Sequence, residues 1–182
     1  MQRLHEWQIQ IWHGDHGWHK NSKQVATELH NWCQEQSLCF LVDSTSKEHT
    51  KNEEEARIWR YTSLTNAAHS LSAINQESPC LHVLTGHTGS DRTETVLMNL
   101  ARGSDLGGLS SMPKLRRLKE NILLVRPMLI FSRKETAQIC KEMRLPVWLD
   151  PSNANLNLSR NRIRHEVVPV LEQIHPGCSI RI

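Results

Sequence analysis

The chain has 182 residues, with 22 Lys and Arg against 19 Asp and Glu, for a formal charge of +3 with histidine neutral. That length supports a real core; with 38% hydrophobic residues and a mean hydropathy of -0.52, no apolar run approaches the ~20 residues that span a bilayer. The five cysteines are odd in number and form no CxxC pair, which argues against a disulfide scaffold, a zinc ribbon and an iron–sulfur site. In chain order, Trp7 to Trp12 alternates apolar and polar residues and predicts a half-buried strand. Asn21 to Gln36 predicts a helix capped by Asn21 or Ser22, with Val25, Leu29 and Trp32 on one stripe. Cys39 to Val42, a continuous apolar run, predicts a buried strand. Glu53 to about Ile74 predicts a long helix with the stripe Ile58, Tyr61, Leu64, Ala68, Leu71, broken by Ser78-Pro79. Leu81 to Leu84 predicts a strand, and Asp91 to Arg102 a helix stopped by Gly103 at C′. Ile122 to Val125 predicts a strand ended by Pro127. A helix capped by Ser132, with Glu135 in the N3 slot, contains Thr136 to Met143. Asp150 to Asn153 reads as a turn, and Arg162 to Ile174 as helical with an interruption at Pro169. Strand and helix alternate, so the expected fold is α/β, a doubly wound parallel sheet.

Several segments carry chemistry. Asp91 and Glu94 stand three residues apart on one face of a first helical turn, just past a strand and a Gly-containing loop. The same spacing also reads as a capping box, with acids complementing the helix dipole. His13-Gly14-Asp15-His16-Gly17-x-His19 has the look of a metal cluster. Its glycines suggest a turn, however, and no second His-rich segment supplies further ligands, so no metal site is assigned. Arg57, Arg60 and Tyr61 fall on adjoining faces of the long helix, where two guanidiniums one turn apart suit a phosphate; pairing with Glu53 to Glu55 is the bland alternative. Arg102-Gly103-Ser104 with Gly107-Gly108 follows a helix and lacks the context of a dinucleotide fingerprint. Lys114, Arg116, Arg117 and Lys119 form one basic cluster; Arg160, Arg162, Arg164 and His165 form another. Such clusters hold phosphate backbones or simply face solvent.

Taken in order, these segments resemble the tRNA(Ile)-lysidine synthase family of the N-type ATP pyrophosphatase (PP-loop) group. The family's pattern runs His-x-Asp-His-Gly, Ala-Arg-x-x-Arg-Tyr, His-x-x-x-Asp-x-x-Glu-Thr, Arg-Pro-Leu, Asp-Pro-Ser-Asn and Arg-Asn-x-Ile/Leu-Arg. Here these are His13 to Gly17, Ala56 to Tyr61, His87 to Thr95, Arg126-Pro127-Met128, Asp150 to Asn153 and Arg160 to Arg164. Ser90 stands where many members have a first aspartate. The family's Ser-Gly-Gly-x-Asp-Ser loop is absent, which leads us to expect a partial catalytic domain that lacks the first strand and the PP-loop, and a chain that by itself fails to release pyrophosphate from ATP.

The resemblance implies an adenine nucleotide alpha-hydrolase-like (HUP-like) fold: a single partial domain over residues 1–182, with 151–182 as a basic helical extension. It implies a ligase that uses ATP and Mg²⁺ to activate C2 of the wobble cytidine in a CAU anticodon. The amine of free L-lysine then attacks C2, so the tRNA changes from methionine to isoleucine identity. By the same resemblance, Asp91 and Glu94 bind lysine with His87 beside them. Asp15, His16, Gly17, Arg57, Arg60, Arg160 and Arg162 serve ATP or its phosphates. Lys114, Arg116, Arg117 and Arg164 serve tRNA(Ile). The implied location is cytoplasmic, or the plastid stroma for an organellar member, with no membrane partner and a homodimer left open. The competing readings are a tRNA-binding remnant without catalysis, another PP-loop tRNA-modifying enzyme, and a zinc hydrolase.

Overall fold

A computed structural model of the chain describes residues 5–46, 48–110 and 112–182, with 151 and 152 described by backbone alone. Residues 1–4 of the N-terminal segment, and the side chains of Pro151 and Ser152 in the predicted turn, lie outside the described residues. The chain divides into two compact units, residues 1–80 and 81–182.

In the first unit, β1 (Gln10–Asp15) pairs in parallel with β2 (Cys39–Ser44), Gln10 opposite Cys39 through to Asp15 opposite Ser44. Helix α1 (Ser22–Glu35) connects them, and α2 (Glu53–Ile74) follows. The first strand sits three residues later than its alternation suggested. Pairing with β2 sets its span, while Trp7 remains 52% exposed and stacks on the His5 ring. Strand β2 is not buried as its apolar run implied; Leu41 and Val42 are exposed, and among the described residues β2 pairs with β1 alone. Helix α2 begins as read: the Asn52 side chain accepts from the Glu55 N–H, and three glutamates occupy the first turn. Its buried side is Ala56, Leu64, Thr65 and Ala68, with Ile58 left outside.

In the second unit the sheet order is β3 (His82–Leu84), β5 (Ile122–Val125), β4 (Leu115–Lys119). Strands β3 and β5 are parallel, as expected; β4 runs antiparallel to β5 and was not anticipated as a strand. The core here is Val83, Ile122, Leu124 and Leu129. Helix α3 (Gly89–Ala101) follows β3 and ends ahead of Gly103, whose φ of 75° is the expected left-handed stop. A single-turn helix α4 (Leu106–Leu109) precedes β4. After β5 come a 3-10 turn (Pro127–Ile130), α5 (Arg133–Glu142) and a 3-10 turn (Pro151–Ala154). The basic tail is α6 (Ser159–Arg162), a π-helical turn (Ile163–Val167), α7 (Val168–Ile174) and α8 (Cys178–Arg181). The widened π turn lies just ahead of Pro169, whose ring nitrogen has no hydrogen to give the helical ladder.

Candidate functional site

Helix α3 opens the way its sequence suggests but one box earlier. Thr88 is the cap: its hydroxyl accepts from the Asp91 N–H, and Asp91 Oδ2 accepts from the Thr88 N–H at 2.8 Å and its hydroxyl at 2.7 Å. The Asp91-to-Glu94 capping box is therefore not formed, because Asp91 is already the N3 residue of the Thr88 box. Gly89 is required here: a Cβ would stand 3.0 Å from the Leu129 carbonyl and 3.3 Å from those of Phe131 and Ser179. Its N–H donates to Phe131 at 2.8 Å.

The turn carries Glu94 inward, to 1% exposure. Arg164 forks onto it, Nε to Oε1 at 2.8 Å and a second nitrogen to Oε2 at 3.0 Å, while its third donates to Asn153 Oδ1 at 3.0 Å. Arg160 stands 3.7 Å from Oε2 and donates to the Thr95 hydroxyl. Arg133 completes the group, one nitrogen reaching Asp91 Oδ1 at 2.6 Å and Glu94 Oε1 at 3.4 Å. Two carboxylates and three guanidiniums make this cluster electropositive. Burial opposes ionisation of Asp91, yet the Thr88 backbone and hydroxyl, then Arg133 and His87, outweigh it and hold the carboxyl below its ordinary value. His87 itself shares a hydrogen bond with the Thr85 hydroxyl at 2.9 Å.

The structure thus gathers Asp91, Glu94, Arg160 and Arg164, with His87 alongside. It places Arg162 apart from them, on the surface, paired to Glu166 at 3.0 Å. Arg164, expected among RNA contacts, is committed to Glu94. Lys114, Arg116 and Arg117 lie instead at β4, where Lys114 and Arg117 are exposed. Arg133 and Thr88 were missed from sequence. The Ser132/Glu135 box, which forms as read, was the available pointer, since it fixes where the first residue of α5 emerges.

In the first unit, β1 ends at buried Asp15, whose Oδ1 accepts from the Gly17 N–H at 2.8 Å. Gly17 has a φ of +63°, which suits glycine and makes the expected turn; Gly14 does not belong to it. Gly14 lies within β1, where the indoles of Trp12 and Trp59 occupy the space of a Cβ. The His16 ring packs edge-on against Trp59 with centroids 4.7 Å apart, and lies 5.4 Å from Trp18. Burial, and then Arg60 with its nitrogen 3.3 Å from His16 Nε2, push the imidazole down to about 4. Arg57 points elsewhere: it bonds both oxygens of Glu54 at 3.1 Å, so the two arginines do not form a clamp. Among the described residues, no group of three or more His, Cys, Asp or Glu is arranged to hold a metal ion.

The chain is 55% identical to a tRNA(Ile)-lysidine synthase of Prochlorococcus marinus over all 182 residues, which are 54% of that protein. It is 42% identical to the tRNA(Ile)-lysidine synthase of a Nostoc species over 166 residues, 91% of this chain and 46% of the relative. The chain therefore spans about half the length of the curated relatives it matches. Among solved structures, the U34-tRNA thiolase NcsA from Methanococcus maripaludis, with its iron–sulfur cluster, superposes with a TM-score of 0.70 at 17% identity. That match covers 93% of this chain and 57% of the thiolase, and it shows the α/β fold. The PP-loop domain matches residues 1–171, and with that match the chain belongs to the PP-loop domain family.

Proposed function

We propose that this chain belongs to a tRNA(Ile)-lysidine synthase and forms the part that docks free L-lysine and faces the activated cytidine. The carrying observation is the carboxylate pair on the first turns of α3, set among arginines at the carboxyl end of β3. Lysine's amine is protonated in water, with a pKa of roughly 10.4, and must lose a proton before it attacks C2. A carboxylate kept ionised, as Asp91 is, docks the ammonium and passes its proton on to water instead of keeping it. Asp91 is the better placed of the two: its Oδ2 is fixed by Thr88 and its Oδ1 meets a single partner, whereas Glu94 is fully enclosed. Glu94 works by orienting the guanidiniums around it, and Arg160 offsets phosphate charge.

The residues present suit a nucleotide. Neutral His16 with the Trp18 and Trp59 rings offers apolar faces, and Arg60 a fixed charge, beside the Asp15–Gly17 turn. ATP, when bound, supplies the activation that turns the cytidine C2 oxygen into a leaving group. Since Asp91 and Glu94 are taken up by guanidiniums, Mg²⁺ would arrive on the phosphates, in keeping with its preference for phosphate and water oxygens. Lys114 and Arg117 beside β4 would then touch the RNA backbone, with binding that weakens steeply as salt rises.

The test supplies the protein with a CAU-anticodon tRNA(Ile), ATP and labelled L-lysine. In a protein that also carries the PP-loop, label should enter the tRNA, and Asp91→Asn should raise the KM for lysine roughly tenfold, about 1.4 kcal/mol of docking, with the KM for ATP little changed. Equal increases in both would remove the docking role. Binding of tRNA without transfer would favour a remnant that binds and does not catalyse.

A further inference from the structure

We propose that Arg133 is an internal stand-in for the substrate's ammonium: its guanidinium occupies the slot between Asp91 and Glu94 and is displaced when lysine binds. The inference rests on the lysine-docking reading above and adds a specificity-determining residue to it.

One nitrogen of Arg133 meets both carboxylates, at 2.6 Å and 3.4 Å, which is the position a docking ammonium needs. Charge makes simultaneous occupancy costly. Three guanidiniums already surround two carboxylates, and a fourth cation would add repulsion in a half-enclosed space. Exchange of one cation for another leaves the local charge unchanged.

Arg133 is also the cation best able to leave. Its side chain is 42% exposed, against 31% for Arg160 and 15% for Arg164. Its Nε, like that of Arg160, is buried with no hydrogen-bond partner, so swinging outward hydrates a donor that the closed position leaves unmet, and exposure is what separates the two. The backbone need not follow. The Arg133 N–H is tied to Ser90 Oγ at 3.1 Å, and the Ser132/Glu135 box fixes the helix start. When the guanidinium departs, Arg164 still forks onto Glu94 and Thr88 still fixes Asp91 Oδ2, so the vacated slot keeps its shape.

The experiment is calorimetric titration of L-lysine into the full chain, wild type and variant, with melting curves to show that each is folded. Arg133→Gln should bind lysine roughly tenfold tighter, because no internal cation competes. Arg133→Lys puts an ammonium in the same slot and should stay within about threefold of wild type, on the same free-energy scale. A structural role alone predicts weaker binding in both, and weaker or unchanged binding in Arg133→Gln overturns the proposal. If neither wild type nor Arg133→Gln binds lysine, the docking reading fails and the stand-in fails with it. Binding by wild type without tightening in Arg133→Gln defeats the stand-in alone. Should Arg133→Gln not fold, arginine side-chain NMR of the wild type decides. The Arg133 guanidinium signal should move to a solvated position on lysine saturation, and a signal that stays put refutes displacement.

Discussion

Glu94 carries a formal charge to a place where 1% of its surface meets solvent, and its stability there depends on Arg164, Arg133 and Arg160. Replacing that carboxylate by an amide leaves Arg164 without its buried countercharge, while Arg133 keeps Asp91 and Arg160 keeps the Thr95 hydroxyl. Breaking a buried pair by deleting one partner typically costs about 3–5 kcal/mol, so Glu94→Gln should lower the melting temperature markedly, as thermal unfolding followed by circular dichroism will show. A shift of less than a few degrees would mean the guanidiniums re-solvate freely. Asp91 is the cleaner probe of chemistry, because its amide counterpart can keep the contact with Thr88. The acids were legible in the sequence as a pair on one helical face. Their unequal burial was not, because it depends on arginines 39 to 70 residues downstream of Glu94. The Arg160 to Arg164 series announced guanidiniums on neighbouring turns; nothing local announced which carboxylate they would meet.

Among the elements, α3 depends most on its first turn. Thr88 is 6% exposed and exchanges hydrogen bonds with Asp91 through both backbone and side chain. Thr88→Ala should destabilise the chain by about 1 kcal/mol, the usual weight of a helix cap, and should weaken lysine affinity because Asp91 Oδ2 loses a donor. Denaturant titration beside lysine titration measures both; an affinity loss without a stability loss would contradict the shared cause. The span of α2 was readable because its apolar stripe and the Ser78-Pro79 break mark it independently, while the Asn52 cap emerged only from the structure. Strand β4 was not readable. Leu115-Arg116-Arg117-Leu118-Lys119 does not alternate, and the register shift between Arg117 and Lys119 shows why. Lys114, Arg116 and Arg117 looked like a solvent-facing or phosphate-binding patch; Arg116 and Arg117 lie within β4 and Lys114 just ahead of it, with Lys114 and Arg117 exposed.

At the scale of the whole molecule, pH reaches stability through the first unit. Unfolded, His16 takes a proton near 6.5; folded, it resists until about 4, so the unfolded chain binds more protons between those values. Stability is therefore lost as pH falls through that window, and burial of His13, also lowered, acts in the same direction. Melting curves at about pH 7 and about pH 5 should separate in the wild type and lie closer together in His16→Asn, with His13 keeping a residual separation; equal separation in both would assign the acid sensitivity elsewhere. The alternation of strand and helix was enough to foresee parallel pairing in each unit, but it overstated the burial of β2, since an apolar run does not reveal how many neighbours a strand will have.

The path of residues 177–181 matters to the acid-bearing helix more than some of their side chains do. Thr93 and Arg92 of α3 fasten to the carbonyls of Ser179 and Ile180, at 2.9 Å and 2.8 Å, and Glu172 collects the N–H groups of Gly177 and Ser179. These four attachments are to main chain, and the Ser179 side chain adds its own bond to Glu172. The Ile180 side chain can accordingly change with little effect on the acid-bearing helix, whereas Ser179 is buried, and deleting the segment would unfasten the first turns of that helix.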